Sequence, residues 1–93
     1  MFYEGLTMDL NSIPRLAPGC RLHPTQSVLL VPEGTLNLTG PTREILTRLD
    51  GQQSVTAIVA DLLLQYADAN ANEVQGDVLS LLERMEQRGV VRV

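Results

Sequence analysis

The sequence has few aromatic residues, a single cysteine and no lysine. Because Cys20 has no second cysteine to pair with, an intramolecular disulfide is excluded and a packed core must hold the fold. The only aromatic residues are Phe2, Tyr3 and Tyr66, so the predicted core is aliphatic. The N-terminal segment lacks basic residues and a long apolar run. We therefore expect no signal peptide, no membrane contact and a cytoplasmic location.

Basic side chains are outnumbered, because seven arginines face eleven carboxylates and leave a net charge of −4. A negatively charged domain repels nucleic acid unless its basic residues cluster. The main alternative function, a winged-helix DNA-binding regulator, needs a basic recognition helix. The predicted third helix instead has two arginines, Arg84 and Arg88, and four carboxylates, which are Glu73, Asp77, Glu83 and Glu86. This excess of negative charge argues against nucleic acid as a partner.

The residue types that support catalysis or bind metals are also sparse. Cys20 and His23 are neighbours, but a structural metal site needs about four ligands, and no other cysteine or histidine is present. Asp50 and Asp61 are interpreted as a turn residue and a solvated residue of a helix rather than as an acid–base pair. The glycines are dispersed and form no phosphate-binding loop. We therefore expect a non-enzymatic protein without metal or cofactor.

Residues 39–66 form the most regular stretch and predict two helices joined by a tight turn. Pro41 suits the first turn of a helix, and Asp50-Gly51 suits its end. Ser54 is the expected N-cap of the second helix. The apolar residues of both helices recur at three- and four-residue spacing: Ile45, Leu46 and Leu49 in the first, and Val55, Ile58, Val59, Leu62, Leu63 and Tyr66 in the second.

The residues before this stretch predict a small sheet. Residues 27–38 are expected to form a β-hairpin around Pro32-Glu33-Gly34, with Leu36 and Leu38 facing inward. An irregular edge strand is expected at residues 13–16, since proline is tolerated mainly at sheet edges. Residues 1–11 are expected to form a flexible tail, although Met8 and Leu10 are apolar enough to dock. The domain is therefore predicted to span residues 12–93.

The residues after Tyr66 predict a third helix that is followed by a short extended end. Asn72 and Gln75 are expected to form its capping box, and Gly89 to end it. Its apolar stripe is Val74, Val78, Leu81, Leu82 and Met85. The predicted fold class is α+β and winged-helix-like, with a small three-stranded antiparallel sheet followed by three helices.

The ordered set of motifs resembles the PqqD family, the small peptide-binding proteins of pyrroloquinoline quinone biosynthesis. The resemblance extends over residues 13–90. It rests on Pro14-Arg15-Leu16-x-Pro18-Gly19-x-Arg21-Leu22, Leu29-Leu30-Val31-Pro32-Glu33-Gly34, Leu38, Ile45-Leu46-x-x-Leu49-Asp50-Gly51, Ser54-Val55-x-x-Ile58 and Asp77-Val78 with Leu81-Leu82.

This resemblance implies a function and a site. Family members bind a ribosomally made precursor peptide and present it to a radical S-adenosylmethionine enzyme. The peptide adds as a strand beside the last strand of the hairpin and lies against the third helix. In this sequence the implied peptide-binding residues are Thr35, Leu36, Asn37 and Leu38 of the strand, and Val78, Leu79, Leu81, Leu82 and Met85 of the helix.

The residues themselves support peptide binding, because an edge strand offers unpaired backbone groups to an added strand. Leu79 and Leu64 lie off the stripes of their helices and are candidates for contact with a peptide or with a second copy. The alternative is that single exposed leucines need no partner. For the same reasons a homodimer is expected to be accessible.

Overall fold

The computed structural model describes residues 8–93. In this range the helices and strands follow the order β1 (Arg15–Leu16), β2 (Arg21–Leu22), β3 (Val28–Val31), β4 (Gly34–Asn37), α1 (Thr42–Leu46), α2 (Val55–Gln65), α3 (Ala71–Gln87) and β5 (Val91–Arg92). The predicted class is confirmed, because a small antiparallel sheet is followed by three helices.

The hairpin forms as the turn chemistry predicts. β3 and β4 pair antiparallel, with Val28 opposite Asn37 and Val31 opposite Gly34. Leu29 is fully buried beneath the sheet, and Leu38 is 8% exposed. Thr35 and Asn37 lie on the exposed face, while Leu36 is half-buried. The alternation of the sequence therefore sets which face of the hairpin meets the helices.

The predicted edge strand forms, but it belongs to a different sheet. The three-stranded sheet has the order β2-β3-β4, whereas β1 pairs with the C-terminal β5 in a separate two-stranded sheet. Between β1 and β2 the chain turns at Gly19, whose φ of +87° is a left-handed conformation that favours glycine. Because β1 and β2 have only two residues each, they show no alternation that a sequence pattern can detect.

The helices differ from the predicted ones mainly at their ends. Ser54 caps α2 as predicted, because its hydroxyl accepts a hydrogen bond from Ala57 N at 3.1 Å. The predicted cap at Asn72 is wrong. Asn70 caps α3 instead, and its side-chain oxygen accepts a hydrogen bond from Glu73 N at 3.1 Å. α1 ends at Leu46 rather than at Leu49, and the turn that follows carries the chain to Asp50.

The core lies between the sheets and the three helices and is aliphatic, as predicted. It includes residues that are at most 1% exposed in every layer: Leu29, Leu46, Val55, Ile58, Val78, Leu82 and Val91. Two members of the predicted α2 stripe are less buried, since Leu63 is half-buried and Tyr66 is 43% exposed.

The last residues of the predicted tail are packed against α2. Met8 is 4% exposed, and Leu10 O accepts hydrogen bonds from Thr56 N at 3.1 Å and Thr56 Oγ1 at 3.0 Å. Ser12 O accepts from Val55 N at 2.9 Å. The flexible tail predicted for residues 1–11 thus does not include residues 8–11, and residues 1–7 lie outside the described part. The apolar side chain of Met8 and the free backbone groups at the start of α2 explain this docking.

Candidate binding groove

Within residues 8–93, β4 is an edge strand with one open side. Leu38 N donates to Ser27 O at 2.9 Å, which places that pair in the hydrogen-bonded position of the ladder. Because hydrogen-bonded and non-bonded pairs alternate in an antiparallel ladder, the backbone groups of Leu36 face β3. Those of Thr35 and Asn37 face the open side, where no strand of residues 8–93 pairs with them.

A cleft of about 220 Å³ lies between β4 and the second half of α3. Leu36 and Leu38 line its sheet side, and Leu81 and Met85 line its helix side. Asn37 also lines this cleft, with Thr39 and Thr42 at one end and Arg84 and Arg88 along the helix. Apolar side chains therefore lie directly beside the unpaired backbone of β4.

Two further clefts continue this one along α3. A cleft of about 310 Å³ shares Thr39, Thr42, Leu81 and Arg84 with the first and extends to Asp77. A third cleft, of about 530 Å³, shares Gly40, Pro41, Ile45 and Asp77 with the second. It reaches the C-terminal end of α2, where Leu62, Tyr66, Ala69, Val74 and Val78 complete its lining. We call these three clefts together the α3 groove.

Helix α1 lines one side of the α3 groove, and Arg48 holds it against α2. Its side chain is 14% exposed, and its Nε donates to Asp61 Oδ2 of α2 at 2.6 Å. Its Nη1 donates to Glu44 O at 2.6 Å and to Glu44 Oε1 at 3.2 Å. Although burial opposes the charged form, hydrogen bonds and the charges of both carboxylates raise the pKa of Arg48. Asp61 is therefore an ion-pair partner rather than only a solvated residue of the helix.

The structure brings five of the nine predicted site residues together around the first cleft. These are Leu36, Asn37, Leu38, Leu81 and Met85. Thr35 lies on the same strand edge, and Val78 lines the third cleft. Leu82 is fully buried in the core. Leu79 is half-buried against the core and lines none of the three clefts, so the structure separates it from the α3 groove.

The groove also has charged residues that are not among the predicted site residues. The sequence pattern presents Arg84 and Arg88 only as charges of an acidic helix, but both line the cleft beside β4. Asp77, Leu81, Arg84 and Arg88 follow one another at spacings of four, three and four, which keeps residues on one side of a helix. That spacing was the available signal, since it places these charges next to the predicted apolar stripe.

The cysteine and the histidine join no metal-binding group within residues 8–93. His23 Nδ1 accepts hydrogen bonds from Thr25 N and Gln26 N, each at 3.1 Å, so it holds the loop before β3. Cys20 is half-buried. In residues 8–93 no group of three or more histidine, cysteine or acidic side chains is placed to hold a metal ion. No helix in this range is long and apolar enough to cross a membrane.

A small α+β domain with an open strand edge beside an apolar helical groove has the architecture that strand addition of a peptide requires. The family model described as "Coenzyme PQQ synthesis protein D (PqqD)" matches residues 26–91. The chain therefore belongs to the PqqD family, and the resemblance stated from its motifs is confirmed.

Relatives with known names support the same assignment. The chain is 36% identical over 85 residues to a "PqqA binding protein" of Stutzerimonas stutzeri strain A1501, which covers 87% of this chain and 90% of that protein. It is 36% identical over 88 residues to the protein of the same name in Azotobacter vinelandii strain DJ, covering 90% and 94%.

A solved structure matches over nearly the whole chain. It is the solution NMR structure of the PqqD truncation of Methylobacterium extorquens PqqCD, with a TM-score of 0.81 and 29% identity. The match covers 98% of this chain and 100% of that domain, which is described as a functional, stand-alone recognition element for ribosomally synthesised and post-translationally modified peptides.

Proposed function

We propose that this protein is a non-catalytic peptide-binding protein that takes up a PqqA-type precursor peptide. The observation that carries the proposal is the open edge of β4 next to the apolar cleft formed with Leu81 and Met85. An added strand forms main-chain hydrogen bonds with Thr35 and Asn37, and its alternate side chains enter the cleft. The names of the relatives from Stutzerimonas and Azotobacter support the identity of the peptide.

Family membership supports a wider role that we also propose. The bound peptide is presented to a radical S-adenosylmethionine enzyme, which carries out the chemistry, and this protein contributes recognition alone. The cleft beside β4 is lined by leucines, a methionine, an asparagine, two threonines and two arginines. Its lining includes no histidine, cysteine or carboxylate that could activate the threonines as nucleophiles. We place this step in the cytoplasm, where a ribosomally made peptide is produced.

The experiment is a calorimetric titration of the protein with the synthetic PqqA peptide of Stutzerimonas stutzeri. Leu81→Gln is expected to weaken binding by roughly 1–2 kcal/mol, because part of the apolar contact with the peptide is lost. That loss corresponds to about a five- to thirtyfold higher Kd.

Leu79→Gln is the matched control. Both leucines are half-buried on α3, so the two substitutions are expected to lower the thermal midpoint similarly. Leu79 does not line the α3 groove, and its variant is expected to keep wild-type affinity. Equal loss of affinity in both variants would contradict the proposed location, and no binding by the wild type would contradict the proposed function.

A further inference from the structure

The α3 groove carries opposite charges at different positions along α3. Arg84 and Arg88 line the cleft beside β4. Asp77 lines the two clefts farther along, and Glu44 lines the last one. The wall between the acidic residues and the end of α2 is apolar and consists mainly of Ile45, Leu62, Val74 and Val78. Along α3 the groove is therefore basic beside the open edge of β4, and farther along it is apolar with the carboxylates of Asp77 and Glu44 beside it.

Three of these charged side chains have no ionic partner within residues 8–93. Arg84 Nη1 donates to Ser80 Oγ at 3.0 Å, but no salt bridge joins it to a carboxylate there. Arg88 and Asp77 likewise form no salt bridge in that range. Glu44 differs, because its carboxylate is paired with Arg48 at 3.2 Å. The charges left for a ligand are therefore those of Arg84, Arg88 and Asp77.

The spacing of the charged residues along α3 sets the distance between the matching charges of a bound peptide. Asp77 precedes Arg84 by seven residues and Arg88 by eleven, which is about 10 and 16 Å at a rise of about 1.5 Å per residue. An extended peptide advances about 3.3 Å per residue, so these separations correspond to roughly three and five residues. Side chains four residues apart in a strand point to the same face. Two side chains on one face of a peptide strand can therefore reach Asp77 and the pair formed by Arg84 and Arg88.

We propose that the α3 groove recognises an extended peptide segment by two opposite charges about four residues apart. A carboxylate side chain of the peptide lies between Arg84 and Arg88. A lysine or arginine side chain of the peptide lays its aliphatic stem in the cleft of Val74 and Leu62, with its charged end near Asp77. The proposal rests on the proposed function and specifies which peptide segment the site selects.

The test uses fluorescence anisotropy with the labelled PqqA peptide of Stutzerimonas stutzeri at about 50 mM salt. The variant Arg84→Glu/Arg88→Glu and the variant Asp77→Lys are each expected to raise Kd roughly tenfold, because an attraction becomes a repulsion. Both effects are expected to shrink strongly at 1 M salt, where the screening length falls to about 3 Å. Arg92→Glu is the matched control, since Arg92 is an exposed arginine of β5 that lines none of the clefts.

Compensating changes in the peptide identify the contacts. Replacing one carboxylate of PqqA by lysine is expected to restore binding to Arg84→Glu/Arg88→Glu. Replacing one basic residue, about four positions away, by glutamate is expected to restore binding to Asp77→Lys. If the arginine reversal prevents folding, Arg84→Gln/Arg88→Gln removes the charge alone and is expected to raise Kd about threefold.

The outcomes separate this inference from the proposed function. If wild-type protein binds PqqA and the groove variants behave like Arg92→Glu, charge recognition is overturned and peptide binding stands. If affinity falls in the groove variants but no single peptide substitution restores it, the paired contacts are overturned. If the wild type does not bind PqqA at all, the proposed function fails and this inference fails with it.

Discussion

At the scale of single residues, short local rules predicted part of the turn and cap chemistry. Asp50 and Gly51 do not end α1, which stops at Leu46, but they lie in the connection to α2. There Asp50 Oδ1 accepts a hydrogen bond from Gln52 N at 2.8 Å. That bond, with those from Gln53, holds the pKa of Asp50 below its usual range. Ser54 caps α2 as predicted. The cap of α3 was missed because two asparagines stand two residues apart, and a local rule does not choose between them.

The two asparagines before and within α3 give a direct test of capping. Asn70→Ala is expected to lower the free energy of unfolding by about 1 kcal/mol, because Glu73 N loses its acceptor at the start of the helix. Asn72→Ala removes an exposed asparagine inside the helix and is expected to change stability by only a few tenths of a kcal/mol. Urea unfolding of the two variants measures both changes in the free energy of unfolding. A larger loss of stability in Asn72→Ala than in Asn70→Ala would contradict the assignment of Asn70 as the cap of α3.

At the scale of helices and strands, periodicity predicted which elements form but not which neighbours they meet. The stripe of α3 identifies Val78, Leu82 and Met85 as core residues. Leu81 lies at one edge of the predicted stripe and Leu79 lies beyond the other edge. The sequence alone does not say which of these two sides of α3 faces β4. The packing of α3 against α2 and the hairpin decides that, and it brings Leu81 to the groove.

The open edge of β4 leads to a prediction about its backbone. Asn37→Pro removes the N–H that faces the open side, so it is expected to weaken PqqA binding at least tenfold. The thermal midpoint is expected to change little, because that N–H has no partner in β3. Asn37→Ala keeps the N–H and is expected to bind like the wild type. A large loss of stability in Asn37→Pro alone, seen by thermal unfolding, would mean that the N–H is paired within the sheet.

At the scale of the whole molecule, the fold closes through contacts between residues distant in sequence. β1 pairs with β5, with Leu16 opposite Val91, so the two ends of the domain meet. Residues 8–12 lie on the start of α2. These pairings join segments that are too short to show a sequence period. The sequence therefore predicts the α+β class, but it assigns β1 rather than β2 to the three-stranded sheet. The same distant packing leaves β4 at an edge beside the α3 groove.

That open edge leads to a prediction about assembly. Two copies can pair their β4 strands around a twofold axis, since each offers the same unpaired groups of Thr35 and Asn37. A dimer formed in this way covers the edge that the peptide needs, so peptide and self-association are expected to compete. Light scattering over a concentration series is expected to show a rising mass, and saturating PqqA is expected to return it to that of a monomer with bound peptide.

Two variants locate the dimer contact. Asn37→Pro is expected to remain monomeric, because the proline takes away a backbone donor on the pairing edge. Leu64→Gln is the control for association through α2, where Leu64 is 83% exposed, and it is expected to dimerise like the wild type. A strictly monomeric wild type at high concentration would contradict the dimer. A dimer fraction that saturating peptide leaves unchanged would show that the two copies meet at a surface other than β4.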